Sequence, residues 1–416
     1  MLIFPSDDNR LPRPPILPPI TGGSDKPLSY HWRAPDFDVG NALNLPGLNH
    51  RLSLAMTSIV MDLWIEAMGA DRAIAYSRRK EWYATGTRYR HSAFTYTTVT
   101  RSVDILAREG LIDSFIAPAI GPTGFQSTMR ARPELLTIVL PEGLHYALDL
   151  EVRLRWGGEL VDYRDTTQTL RMRKGVRAIN EGLDSITYDI PGADKISPAV
   201  WKVGNAYLNP AQRTLYRSFN QDWSLGGRFY GASWIGCPKE YRRGITIDGQ
   251  PTTEEDYPAH HLRIAYAQQG RVMPSGDPYT VEGFTRDVGK AAMQTLLNAK
   301  NYQSARYATA GIIEQAARND PNYDGPLSDE SLSSATKLLA GLKAMHRHIA
   351  DLFHTGIGLR FQRLDSDMMA RVQLTLQRRG VVGLPVHDSI IVPLQYAGLA
   401  RESMEEAFSH VMGRAA

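Results

Sequence analysis

An α+β fold built from two or three modules is what this sequence predicts, and three observations carry it. Segments with apolar residues at helical spacing alternate with short, turn-bounded runs of strand character. The chain has 416 residues, against roughly 100–200 per domain. Its composition, 43% hydrophobic and 22% charged, is ordinary for a globular protein and excludes a chain disordered throughout. The only cysteine, Cys237, excludes a disulfide framework and a four-thiolate zinc site, and it suits a reducing compartment. No apolar run reaches the roughly 18–20 residues that span a bilayer. The start, MLIFPSDDNR, meets an acidic pair too early for a signal peptide. A cytoplasmic protein without a membrane partner is therefore expected. The net charge of +3 decides little, since 47 basic and 44 acidic residues can still be segregated into patches.

Residues 1–49 begin with seven of the 25 prolines in their first thirty positions, as in LPRPPILPPI. Proline fixes φ and has no N–H to donate, so an extended arm on the surface is expected. Between 52 and 80, Leu52, Met56, Ile59, Val60, Leu63, Trp64 and Met68 fall at helical spacing, and the end is basic with Arg78, Arg79 and Lys80. Further on, Val99, Val103 and Leu106 make one buried helix face. Gly110 ends that helix, and Leu111-Ile112 begins a strand. Thr97, Thr98 and Arg101 stand near the helix start, where they could meet phosphates or base edges. The stretch GPTGFQSTMRARPEL then supplies glycine turns and two arginines. Over residues 50–140 the pattern resembles a winged helix-turn-helix module, which implies contact with DNA through Arg101. A helix and hairpin without nucleic-acid contact is the alternative.

Residues 141–209 contain a hairpin and basic helical sequence. VRLRW and ELVDYRD flank Gly157-Gly158, a two-residue turn of the primed type. A helix is predicted over 166–183, bearing Arg171, Arg173, Lys174 and Arg177. From 201 to 243 aromatic residues and arginines interleave, which suits either a polynucleotide surface or a partly buried aromatic cluster.

The chemistry concentrates in residues 210–416. In GITIDGQPTTEEDYPAHHLRIAYAQQG, a strand turns at Asp248-Gly249 and a second strand runs into Asp256. Pro258 then permits a helix start. Asp256 therefore stands at an open strand-to-helix junction. In FTRDVGKAAMQTLLNAKN, Arg286 and Lys290 share one helix face, with Asn298 two turns beyond, a face suited to a triphosphate. In GLPVHDSIIVPL, His387-Asp388-Ser389 interrupt an apolar strand, and a strand pair presenting that tip would set Asp388 beside Asp256. Two such aspartates can share two Mg²⁺ ions, one activating an attacking hydroxyl and the other stabilising a leaving pyrophosphate. Arg286 and Lys290 would neutralise the transferring phosphates.

The order D-Y-x3-H-L-R, R-x3-K and V-H-D-S resembles the palm and fingers motifs of family A DNA polymerases and the related phage-type RNA polymerases. Asp256, Tyr257, Leu262 and Arg263 match the first motif, Arg286 and Lys290 the fingers helix, and His387 and Asp388 the third motif. In FQRLDSDMM, Gln362 and Asp367 fall in register with the glutamine motif of the DNA-polymerase branch. Three positions depart from that branch. His261 replaces the glutamate that excludes a ribose 2′-OH, Asn298 replaces the fingers tyrosine, and Ser389 replaces the glutamate after the third-motif aspartate.

The resemblance implies a right-hand polymerase of palm, fingers and thumb, with 141–209 thumb-like and 210–416 palm and fingers. Asp256 and Asp388 would be the catalytic pair, holding Mg²⁺ (or Mn²⁺ in its place) with the backbone carbonyl of Tyr257. Arg286, Lys290, His261, Asn298 and Tyr257 would bind the nucleotide, and Gln362, His387 and Arg101 the template–primer. The expected partners are DNA template–primer and dNTPs, and the expected state is a monomer. No acidic signature of a proofreading exonuclease is present. Two alternatives remain, an RNA-synthesising relative and a replication-initiation protein whose polymerase-like half has lost catalysis. A His/Asp metal site in a phosphohydrolase fits less well, because His260 and His261 diverge by about 100° on a helix and His387-Asp388 lies in a strand pattern.

Overall fold

The computed structural model describes residues 25–84, 87–117, 126–147, 150–319 and 330–415. The first 24 residues of the proline-rich arm and residues 118–125, within the glycine-bearing turn of the predicted wing, lie outside the described residues. The fold is mixed α+β, with several sheets and two buried apolar clusters, one N-terminal and one larger and C-terminal.

In the N-terminal part, helix α1 (His50–Met68) starts where the Asn49 side chain accepts from the Leu52 N–H at 2.9 Å. It stops at Gly69, after which Asp71 adopts a left-handed φ of 48°. The helical spacing read as far as residue 80 ends here, because the next apolar run, Ile74–Tyr76, is a fully buried strand. Helix α2 (Tyr96–Arg108) opens with a reciprocal capping box between Thr95 and Thr98, and Gly110, at φ 71°, ends it. Strands Ile112–Phe115 and Ser127–Ala131 then pair antiparallel. The sheet order is Lys26–Pro27, Ile74–Tyr76, Ser127–Ala131, Ile112–Phe115. Residues 25–49, grouped with the arm on sequence, are folded into this part. Leu28, Tyr30, Trp32 and Val39 are buried there, and Asp62 on α1 accepts from the Ser29 N–H and from Trp32 Nε1.

The predicted hairpin forms between Val152–Trp156 and Glu159–Leu160, with both Gly157 and Gly158 at positive φ. It does not stand alone. Val152–Trp156 pairs in parallel with Tyr216–Asn220, which pairs with Gly226–Tyr230, giving one four-stranded sheet. Helix α3 (Thr167–Asp184) has a second capping box, Thr166 with Thr169, and buries Val176, Ile179 and Leu183.

The C-terminal sheet runs Leu384–Val386, Ser389–Pro393, Gln250–Asp256, Thr246–Ile247, Tyr188–Asp189. Helix α9 (Ala397–Ala415) packs on this sheet, and α4 (His260–Gln268) and α8 (Gly358–Arg378) pack with α9 and with one another. Helix α8 also packs on strand Gly226–Tyr230 of the four-stranded sheet and on α3. Helices α5 (Arg286–Asn298), α6 (Tyr302–Asn319) and α7 (Ser331–Met345) pack on one another and join the same C-terminal apolar cluster through α5 against α8. Among the described residues no helix is long and apolar enough to cross a membrane.

Candidate active site

Strand register fixes the centre of the site. Asp256, the last residue of its strand, lies directly opposite Ser389, and Val386 lies opposite the same Ser389 from the other side. His387 and Asp388 are therefore a two-residue turn, with His387 in the left-handed region at φ 57°. The turn carries Asp388 to the end of the sheet where Asp256 stops. Asp256 is exposed and Asp388 half-buried, and neither side chain makes a hydrogen bond or ion pair with another described residue. Ser389 is held, its hydroxyl donating to Glu254 Oε1 at 2.7 Å, and Glu254 in turn pairs with Arg242.

Around Asp388 stands a group of charged and aromatic side chains, of which Arg228 and Asp365 have no place in the motifs. Arg228, on strand Gly226–Tyr230, donates from Nε to Asp365 Oδ2 at 2.8 Å, and its Nη2 lies 3.5 Å from His261 Nε2. Asp365 is fully buried on α8. Burial pushes its carboxyl up to about 7; the Arg228 charge opposes that rise, and Asp388 adds to it. Burial and then the Arg228 charge take His261 down to about 4, and burial takes His260 down to about 2, so both imidazoles are neutral at pH 7. His260 stacks on Tyr257 with ring centroids 4.3 Å apart, and its Nε2 lies 3.7 Å from Asp365 Oδ1. A neutral ring at that distance is neither an ion-pair nor a hydrogen-bond partner. Both His260 nitrogens, Asp365 Oδ1 and His387 Nδ1 are buried without a hydrogen-bond partner among the described residues.

The remaining expected residues divide by place. The buried Tyr257 donates its hydroxyl to the Met404 carbonyl at 2.6 Å, so its ring is structural and only its backbone faces the junction. Arg286 and Lys290 lie on successive turns of α5 and are exposed. Arg286 is ion-paired with Asp277 and lies over the Tyr279 ring, so its charge is already countered. The helix lies close against the segment carrying Asp277 and Tyr279: a Cβ at Gly289 would come within 2.0 Å of the Tyr279 carbonyl. Asn298, read as a neighbour of the sugar with His261, is eight residues past Lys290, about 12 Å along the helix. It donates to the Gln294 carbonyl at 2.7 Å and packs on Gly358, where a Cβ would meet its Oδ1 at 1.9 Å. No hydrogen bond joins it to His261 among the described residues. Gln362 is half-buried on α8, beside Phe361, whose ring meets His261. Asp367 is bound by Arg217 and Arg363. Arg101 is exposed in the N-terminal part and lines a notch of about 590 Å³ with residues 49–52 and with Thr95, Thr97 and Thr98.

Arg228 and Asp365 escaped the sequence reading. Asp365 did leave a signal, since it lies on the buried stripe of α8 with Phe361, Met368, Val372 and Leu376. A carboxylate on such a stripe needs a cation or a proton. Among the described residues, no group of three or more His, Cys, Asp or Glu side chains could by itself hold a metal ion. No protein-family model matches the chain, and no curated protein matches it.

Proposed function

We propose that the protein is a template-directed nucleotidyltransferase that extends a DNA primer with dNTPs. The observation that supports it most is the register that sets Asp256 opposite Ser389, so that two unpaired carboxylates from distant parts of the chain share one sheet end. Among the described residues neither carboxylate forms an ion pair, and two carboxylates with a backbone carbonyl suit an ion that takes its other ligands from substrate phosphates and water. That donor set fits Mg²⁺ in this shared sense. Asp256, Asp388 and the Tyr257 carbonyl would hold it, and bound Mg²⁺ supplies charge stabilisation for phosphoryl chemistry.

The chain's own groups have distinct tasks on this reading. Arg228 sits between Asp365 and Asp388 and offers a fixed positive charge beside the pair. The neutral His261, in contact with Arg228 and Phe361, borders the space of the sugar. Lys290 is open to a triphosphate, whereas Arg286 must first leave Asp277. Gln362 and His387 flank the template–primer. In the N-terminal part, the order α1, strand Ile74–Tyr76, short helix Lys80–Ala84, α2, strand, strand, with the last strand between the other two, supports a winged-helix reading in which α2 meets duplex DNA through Arg101.

One observation favours a second reading, a DNA-binding protein without catalysis: the Arg286–Asp277 pair leaves the expected phosphate clamp countered. Single-nucleotide incorporation on a primed template, with Mg²⁺ or Mn²⁺ and with dNTP or NTP, separates the readings. Extension with dNTPs supports the first. Preference for NTPs replaces it with RNA synthesis, and duplex binding with no incorporation of either replaces it with the second.

A further inference from the structure

The four-stranded sheet beside Asp388 carries aromatic rings and arginines outside the catalytic scheme. Tyr216 lies directly opposite Tyr230, and Ser218 lies opposite Arg228 on one side and Arg153 on the other. Because side chains alternate along a strand, Tyr216, Arg228, Tyr230, Arg153 and Arg155 occupy one face. Arg217 and Phe219 occupy the other, where Arg217 meets Ser366 and Asp367. On the first face a row of contacts leads away from the candidate site. The His387 ring lies 6.1 Å from Tyr230, Tyr230 lies 6.0 Å from Tyr216 with the rings 32° apart, and the Arg153 guanidinium lies 3.8 Å from the Tyr216 ring centre.

The row is firmly built yet open at one end. After Tyr230 the chain crosses Tyr216 at Gly231, φ 110°, where a Cβ would come within 2.5 Å of the Thr214 carbonyl and 3.0 Å of the Tyr216 ring. Tyr230 nevertheless remains 37% exposed, beside the turn that carries Asp388. Two of the arginines on its face lack a counter-charge. Neither Arg153 nor Arg155 has a carboxylate partner among the described residues. Arg153 is 8% exposed, and its Nε has no hydrogen-bond partner. The Arg155 side chain donates to the Gly158 carbonyl, and its charge acts on the Tyr230 hydroxyl. An open aromatic ring among arginines that lack counter-charges is the chemistry of a base-stacking seat with a phosphate neighbour.

We propose that Tyr230, backed by Tyr216 and Arg153, stacks a nucleobase at the end of the polynucleotide strand that reaches Asp388, with Arg155 receiving an adjacent phosphate. The assignment rests on the polynucleotide reading above and adds to it a binding subsite. The test uses the full chain and an oligodeoxynucleotide carrying 2-aminopurine as its 3′-terminal base, whose fluorescence falls on stacking. Wild type and Tyr230→Phe should quench the probe. Tyr230→Leu should lose the quenching and bind on the order of 10-fold more weakly. Arg155→Gln should reduce the salt dependence of binding by about one phosphate contact. If Tyr230→Leu quenches and binds like wild type, the seat is refuted. Should that variant fail to fold, loss of quenching in Tyr230→Phe or an unchanged salt slope in Arg155→Gln refutes it instead. A wild type that extends a primer while the variants behave normally overturns the seat alone. A wild type that binds no oligonucleotide at low salt overturns the polynucleotide reading and the seat together.

Discussion

Two regions of this molecule bury carboxylates, and they treat them differently. On α1, Asp62 accepts from the Ser29 N–H at 2.6 Å and from Trp32 Nε1 at 2.8 Å, with Lys26 beside it at 3.5 Å. Glu66, one turn on, is paired with Lys26 and Arg72 at 2.9 and 2.8 Å. Those groups pin the segment from Lys26 to Trp32 onto the helix, and both carboxylates are matched. Around Asp388 the matching is incomplete. Among the described residues Asp365 keeps one oxygen unpartnered, His260 keeps both nitrogens, and the side chains of Asp388 and Asp256 have no partner. Matched burial holds a fold together, whereas unmatched burial next to an open sheet end reserves groups for something outside the chain.

Substitutions can break that contrast. Asp62→Ala leaves Trp32 Nε1 and the Ser29 N–H without their acceptor and removes one partner of a buried pair, so it should cost about 3–5 kcal/mol of stability. Urea unfolding measures this, and nucleotide incorporation per folded molecule should not change. His261→Ala acts in the other region. Stability should fall little, but discrimination between dNTP and NTP should loosen by a few-fold to tenfold, within the roughly 1–3 kcal/mol typical of one discriminating group. An unchanged ratio in single-nucleotide incorporation would remove His261 from the sugar site.

The pH dependence sharpens the same contrast, and its two arms have opposite signs. Asp365 is raised to about 7 from an ordinary 3.8, so the folded protein holds its proton more tightly than the unfolded chain. The stability contributed is present at low pH and is lost as pH rises through about 7. His260 and His261 are lowered from 6.5, so their contribution is present above 6.5 and lost as pH falls. Below pH 6.5 the two effects oppose each other, because the Asp365 loss runs from about 4 to 7. Thermal melts across pH 4.5 to 8.5 should therefore fall more steeply toward acid in Asp365→Asn than in the wild type and lose the small decline near 7. The smallest effect is expected at the N-terminal part. Arg101→Ala should weaken duplex binding modestly and lower the slope of log affinity against log salt by about 1.

How much of this was legible in the sequence follows from how local each feature is. The α2 and α3 helices, the Gly157-Gly158 turn and the strand-to-helix junction at Asp256 are set by caps, turn residues and periodicity within a few positions, and all lie where those signals put them. The three-residue strand Ile74–Tyr76 was hidden because a short apolar run fits a helical period as well as a strand. The hairpin's place in a larger sheet depends on a parallel pairing between 152–155 and 217–220, which no local pattern encodes. The Arg228–Asp365 pair bridges 137 positions, so only the misplaced charge on the α8 stripe hinted at it. Asn298 was legible as a helix-face residue but not as one turned back on Gly358, since that contact lies between two helices.

The unmatched pair at the sheet end is tested most directly by comparing primer extension in wild type, Asp256→Asn and Asp388→Asn at equal folded concentration. Losing one carboxylate from a shared metal site removes several kcal/mol of charge stabilisation, so each variant should incorporate nucleotide on the order of 10³-fold more slowly. Melting temperature and DNA affinity should stay near wild type, because neither carboxylate holds the fold. Extension at near wild-type rates in either variant would contradict the assignment of the pair to nucleotidyl transfer.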